Sequence, residues 1–278
     1  MYWPEFQFDF RLDLPRLMPH IAAVEFYLQA ATMRILPPQW RETRETDSGR
    51  AAAARAWVNQ RFAPGAPPVS LDDLCAMHRV VGDPANPECN PGVLRVLPVQ
   101  VGRREVGGLH FGAPPESLPA LMQAFIEFIN SDRLQMLHPL IQALVAHFFL
   151  VTIHPFGDAN GRVSRLLAAG MLRQRGYNVH GGFYALSAYF YANDVEYHTL
   201  LHRCWLHPLP FELTQFVAFA MHGFIMELRS IDSFLKMKLK RVETETTGGP
   251  GDFSARRSTS SQSHAMKTTS CDRHLLPL

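Results

Sequence analysis

Apolar residues recur at three- and four-residue spacing along most of the chain, with Gly or Pro between the segments, and this period predicts a largely helical protein. A first helical region runs from Leu14 to about Met33. After the polar stretch RETRETDSGR, a second begins in AAAARAWVNQRF and stops at APGAPP. Ser70 supplies an N-cap for LDDLCAMHRVV, whose first turn carries Asp residues that suit the helix dipole. Residues 83–115 break the period: Pro and Gly become frequent around two short extended runs, VLRVLPVQV and EVGGLHF, which predict a β-hairpin. Helical text resumes in PESLPALMQAFIEFIN, HPLIQALVAHFFLVTI and NGRVSRLLAAGMLRQRG, the last closing at Gly176, and runs on from about Asp194 to Lys240. Beyond Val242, Ser and Thr fill a third of the residues, a composition expected to leave the tail disordered.

Between Arg133 and Asp158 there is no Asp, Glu, Lys or Arg, which imitates a membrane span. Three histidines, two glutamines and two prolines interrupt the segment, so it is read as a buried core helix. Composition changes little: 278 residues, 47% apolar, 19% charged and a net charge of +2 describe an ordinary globular chain without a broad field for nucleic acid or anionic lipid. Any anion site must be local. Cys75, Cys89, Cys204 and Cys271 form no C-x-x-C pair, which points to neither zinc nor a disulfide framework. The N-terminus has no basic segment followed by an apolar run, so a cytoplasmic location is expected.

Candidate chemistry is concentrated in HPFGDANGRVSR, His154 to Arg165. Pro155 biases His154 away from the helical region, so the preceding helix should stop near Ile153 and leave the imidazole on a short loop. If the next helix starts near Asn160, its free N–H groups and dipole form an anion site, and Gly161 allows close approach to the backbone. Arg162 and Arg165 lie three apart, on one face, where both guanidiniums can grip phosphate. Asp158 stands where a hard divalent cation would bind through one carboxylate plus phosphate oxygens, and His154 can accept a proton from an incoming hydroxyl. Taken singly, such residues are more often structural. Two arginines at a helix N-terminus, however, oppose the dipole and call for an anion.

The stretch resembles the signature of Fic-domain proteins, His-x-Phe-x-Asp/Glu-Gly-Asn-Gly-Arg-x-x-Arg. The resemblance extends in order through PVSLDDLCAMHRVV, PGVLRVLPVQVG, APPESLPALMQAFIEFIN, HPLIQALVAHFFLVTIHPF and LSAYFYANDVEYHTLL. It implies an all-α helical bundle with a small β-hairpin flap. The resulting division is an N-terminal helical region at 1–68, a Fic core at 69–203 with its flap at about 94–111, C-terminal helices at 204–242 and a disordered tail at 243–278. The implied activity is transfer of AMP from ATP, with Mg²⁺ or Mn²⁺, to a Ser, Thr or Tyr hydroxyl of a target protein aligned on the flap. By position, His154 would be the base, Phe156 the loop anchor and Asp158 the metal ligand. Asn160, Gly161 and Arg162 would hold the α- and β-phosphates and Arg165 the γ-phosphate. Tyr191, Asn193 and Tyr197 are weaker candidates for an adenine pocket. A homodimer is left open; neither membrane nor nucleic acid is expected as a partner.

Two departures matter. Ala159 stands where the pattern has Gly, and DAN is what Doc-type kinases of the superfamily carry, which keeps a protein kinase as the alternative beside a catalytically silent interaction module. Those kinases have Lys where this chain has Gly161, which favours AMP transfer. Ala159 is expected to lower activity if the backbone there needs positive φ. No inhibitory Ser/Thr-x-x-x-Glu motif is found; the nearest text, Thr43 with Asp47 and Ser48, matches poorly. His138 is expected to precede a helix, His147 to lie inside one, and KMKLKR to end one.

Overall fold

The computed structural model describes residues 3–33, 49–102, 110–177, 186–206 and 209–247. The fold is all-α. Its helices are α1 (Leu14–Met33), α2 (Arg50–Arg61), α3 (Leu71–Val81), α4 (Leu118–Asn130), α5 (Asp132–Gln135), α6 (Pro139–Ile153), α7 (Asn160–Gln174), α8 (Leu186–Ala192), α9 (Asp194–Leu206) and α10 (Thr214–Thr247). Among the described residues there are also four strands of two residues each: β1 (Phe10–Arg11), β2 (Gln100–Val101), β3 (His110–Phe111) and β4 (Phe211–Glu212). Among the described residues no helix is long and apolar enough to cross a membrane.

Helix α6 forms the centre, with every residue from Leu140 to Ile153 buried, so it has no polar face and needs neighbours all round. Its start is fixed by Pro139 in the first turn and by His138, whose Nδ1 accepts from the Leu140 N–H at 3.4 Å. Ser70 and Asp73 form a reciprocal capping box at α3. Helix α7 closes in a Schellman arrangement, Tyr177 N–H to Leu172 O and Gly176 N–H to Arg173 O, both 3.0 Å, with Gly176 at φ +83°. It packs on α2 through Gly170, where a Cβ would come within 2.8 Å of the Phe62 ring.

The N-terminal region is not helical throughout. Residues 6–9 lie outside any helix and lead into β1, and Phe6, Phe8 and Phe10 of FQFDF all contact Phe149 of α6, ring centroids 5.2–6.2 Å apart. Strand β1 then pairs in parallel with β4, Phe10 opposite Phe211. The boundary placed at 203/204 falls inside α9, and the one after Val242 falls inside α10, which continues to Thr247. Strands β2 and β3 pair antiparallel, Gln100 opposite Phe111 and Val101 opposite His110, at the predicted hairpin. Its residues 103–109 lie outside the described residues, as do Thr43, Asp47 and Ser48 and the tail from 248.

Candidate active site

Six residues, 154–159, join α6 to α7. The chain leaves α6 through His154 in the left-handed region, φ 54°, its N–H still donating to Leu150 O at 3.0 Å. The ring Nδ1 stands 3.1 Å from the Val151 carbonyl. A carbonyl only accepts, so Nδ1 carries the proton and Nε2 keeps its lone pair. Burial pushes the imidazole pKa down to about 4, with His110 and Arg95 acting in the same direction against the Val151 hydrogen bond. The half-buried ring is therefore neutral throughout the physiological range, with its free lone pair on Nε2.

The loop is held from both sides. Phe156 is fully buried and stacks on His78, centroids 4.0 Å apart and planes 16° from parallel. Asn160 closes the turn reciprocally, its Oδ1 accepting from Phe156 N–H at 2.9 Å and its Nδ2 donating to Phe156 O at 2.8 Å. That side chain is thus occupied by the loop itself, which leaves its main-chain N–H for an anion. A Cβ on Gly157 would sit 1.9 Å from Glu88 O, so the segment 83–92 lies directly over the loop. Ala159 precedes α7 with φ 60° and ψ 9°, the positive φ that its Cβ disfavours.

Asp158, Arg162 and Arg165 converge at the start of α7. Asp158 Oδ2 accepts from Arg162 Nη2 at 3.0 Å and from Asn86 Nδ2 at 3.1 Å. Burial alone would raise this carboxyl, but the Ala159 N–H, the Asn86 amide and Arg162 outweigh it and hold the pKa below the usual range. Asp158 is ionised, and its side chain stays 35% exposed. Arg162 also donates through Nη1 to Val81 O at 2.8 Å, tying α7 to the end of α3. Arg165 Nε donates to Ser187 Oγ at 3.0 Å, which turns the guanidinium toward α8. A Cβ on Gly161 would lie 3.2 Å from Arg165 Nη1, so this position backs onto the second arginine.

The three weaker candidates separate. Tyr197 is core: its hydroxyl lies 3.0 Å from His147 Nε2 and its ring stacks on Phe190, with centroids 4.5 Å apart. Tyr191 is 64% exposed. Asn193 donates to Tyr189 O at 2.9 Å and lines a hollow of about 380 Å³ at the α8–α9 corner, whose walls, residues 192–203, include none of residues 154–165. Sequence reasoning missed Asn86, Arg95, Ser187 and Gly157. Each meets its partner across tens of residues of sequence, apart from any periodic pattern; only the Pro- and Gly-rich text around 83–92 signalled a specialised loop.

Residues 68–172 match the sequence profile described as the Fic/DOC family. The chain is similar to the protein adenylyltransferase Fic of Drosophila erecta, 38% identical over 109 residues, and to that of Drosophila mojavensis, 39% identical over 109 residues; each match covers 39% of this chain. The matched stretch spans about a fifth of those relatives, 21% and 20%. Among solved structures, a Fic family protein from Desulfovibrio desulfuricans G20 superposes with a TM-score of 0.59 at 18% identity, covering 86% of this chain and 78% of that one. A Fic domain containing signaling protein from Bacteroides thetaiotaomicron gives 0.50 at 20% identity, over 84% and 92%. At such identities the likeness speaks for the fold alone. With the signature loop seated between two central helices and a hairpin beside it, the geometry agrees with that match, and residues 68–172 form a domain of the Fic/DOC type.

Proposed function

We propose that this protein transfers AMP from ATP to a hydroxyl of a target protein, releasing pyrophosphate. One observation carries the reading most: His154 presents an unprotonated Nε2, its tautomer fixed by the Val151 carbonyl, beside the helix start where Gly161, Arg162 and Arg165 gather. The three N–H groups at the start of α7 have no intrahelical acceptor, so together with the arginines they suit phosphate oxygens. Gly161 favours AMP transfer over the kinase alternative, because a lysine there would begin against Arg165 and bring a second cation into its space.

The reaction assigns each residue one task. A target hydroxyl, aligned by the hairpin, attacks the α-phosphorus while His154 Nε2 takes its proton; the bond from the α-phosphorus to the bridging oxygen breaks, and pyrophosphate leaves near Arg162 and Arg165. Main-chain N–H groups of α7 face the charge that develops. Among the described residues no three His, Cys, Asp or Glu side chains gather into a metal cage. An ionised, partly exposed Asp158 still fits a Mg²⁺ or Mn²⁺ ion whose other oxygens come from the nucleotide. Such an ion would supply neutralisation of phosphate charge.

General-base catalysis contributes on the order of 10²- to 10⁴-fold, so His154→Ala should cut transfer by that factor and leave ATP affinity within a few-fold. ATP labelled at the α-phosphate and ATP labelled at the γ-phosphate are compared with a cell lysate as the acceptor pool. Label from the α position alone supports the proposal. Label from the γ position alone would mean that the kinase-like Ala159 was the truer guide, and none from either would favour the silent module.

A further inference from the structure

The last carbonyls of a helix lack intrahelical donors. At the end of α6 and in the two residues beyond, five successive carbonyls are all taken. Val151 O receives His154 Nδ1–H at 3.1 Å and Thr152 O receives His110 Nε2–H at 2.8 Å. Ile153 O accepts from Ala113 N–H at 3.0 Å, His154 O from Arg95 Nε at 2.7 Å and Pro155 O from Arg95 N–H at 3.0 Å. Four of these five donors belong to the hairpin and its flanks, so the hairpin is the cap of the helix that carries His154. Arg95 supplies two of them and then reaches back: Nη1 donates to Leu97 O at 2.8 Å and Nη2 to Ala113 O. It is buried, and the hydrogen bonds of its guanidinium run to main-chain carbonyls on both sides of the joint. Gly112 completes the contact, since a Cβ there would stand 2.8 Å from Arg95 Nη2 and 3.1 Å from His154 Cβ.

We propose that Arg95 is a positioning residue for the transfer reaction, joining the hairpin to the main chain of His154 so that the imidazole is fixed relative to the strand edge that aligns the target. This rests on the reading of His154 as the base. The planar fork suits three carbonyls lying in different directions; a lysine ammonium is one point of charge and cannot reproduce the fork. The groups that face the His154 ring are the Val151 carbonyl, His110, Arg95 and Asp158.

Two variants of the full chain test this. Arg95→Lys keeps the charge and loses the fork: kcat for transfer of α-label should fall about 100-fold, the loss that a misplacement near 1 Å brings, while KM for ATP stays within twofold. Without nucleotide, the ring ¹⁵N shifts of His154 should change from a single Nδ1–H tautomer to a mixture. Arg95→Met removes the cation, and the His154 titration followed by NMR should move to higher pH. A lysine variant with wild-type kcat and an unchanged tautomer would overturn the proposal. If the wild type transfers no label at all, the reading of the reaction fails, and the tautomer and titration of His154 decide the role of Arg95 by themselves. Should Arg95→Met not fold, with its three carbonyl partners left without donors, the lysine variant still decides.

Discussion

Replacing Ala159 by glycine gives a test of the turn that presents α7. An L-residue held in the left-handed region is strained by about 1–2 kcal/mol, and Ala159→Gly removes that strain. Against this stand the greater freedom of glycine in the unfolded chain, about 0.4–1 kcal/mol, and the loss of a buried methyl, about 0.8 kcal/mol. The sum lies near zero. Ala168, fully buried in the middle of α7, supplies the control: Ala168→Gly loses the methyl and about 1 kcal/mol of helix propensity with no relief, about 2 kcal/mol altogether. At this chain length the difference corresponds to about 4–8 °C in melting temperature. Thermal and urea unfolding of both variants measure it. If Ala159→Gly melts as low as Ala168→Gly, the backbone at 159 is not held at positive φ and the strain argument is wrong.

Two further outcomes follow from buried groups near the site. Gly157→Ala should cost about 1–3 kcal/mol in urea unfolding and depress transfer, because its Cβ would force the Glu88 carbonyl and, with it, Asn86 away from Asp158; wild-type stability would show that segment 83–92 does not lie on the loop. Burial lowers His110 to about 4 and His147 to about 3, so the unfolded chain binds more protons below pH 6.5. Stability should therefore fall from pH 6.5 toward 4, by about 1.4 kcal/mol per pH unit for each histidine, with no such loss above pH 7; a flat stability profile between pH 7 and 4.5 would contradict it.

The helices were legible wherever local chemistry decides their ends. Leu14 to Met33, the Ser70 cap, Pro139 in the first turn of α6 and Gly176 beyond α7 all stand where spacing and capping residues put them, because each signal acts within one turn. The loop was legible because its functional groups are consecutive. What escaped depends on the third dimension. Arg95 sits in Pro- and Gly-rich text and finds His154 fifty-nine residues on; Asn86 finds Asp158 at a separation of seventy-two. Tyr197 lies at helical spacing, which equally suits a pocket wall and a core, and only its contact with buried His147 decides for the core. The alternation in FQFDF is a period-two signal too short to stand out beside the stronger helical text that follows.

The parallel pairing of β1 with β4 has a consequence for how the molecule comes off the ribosome. Phe211 N–H donates to Asp9 O, Leu213 N–H to Arg11 O and Asp13 N–H to Thr214 Oγ1, so the opening segment is anchored by residues some two hundred positions later. Contacts that distant form slowly, since a long loop must close before they reward the closure. Until residue 214 has emerged, β1 lacks its strand partner, and the segment that lays Phe6, Phe8 and Phe10 on Phe149 of α6 lacks its anchor. A nascent chain that has released α7 but not yet residue 214 would carry the complete 154–165 loop on an unsealed core.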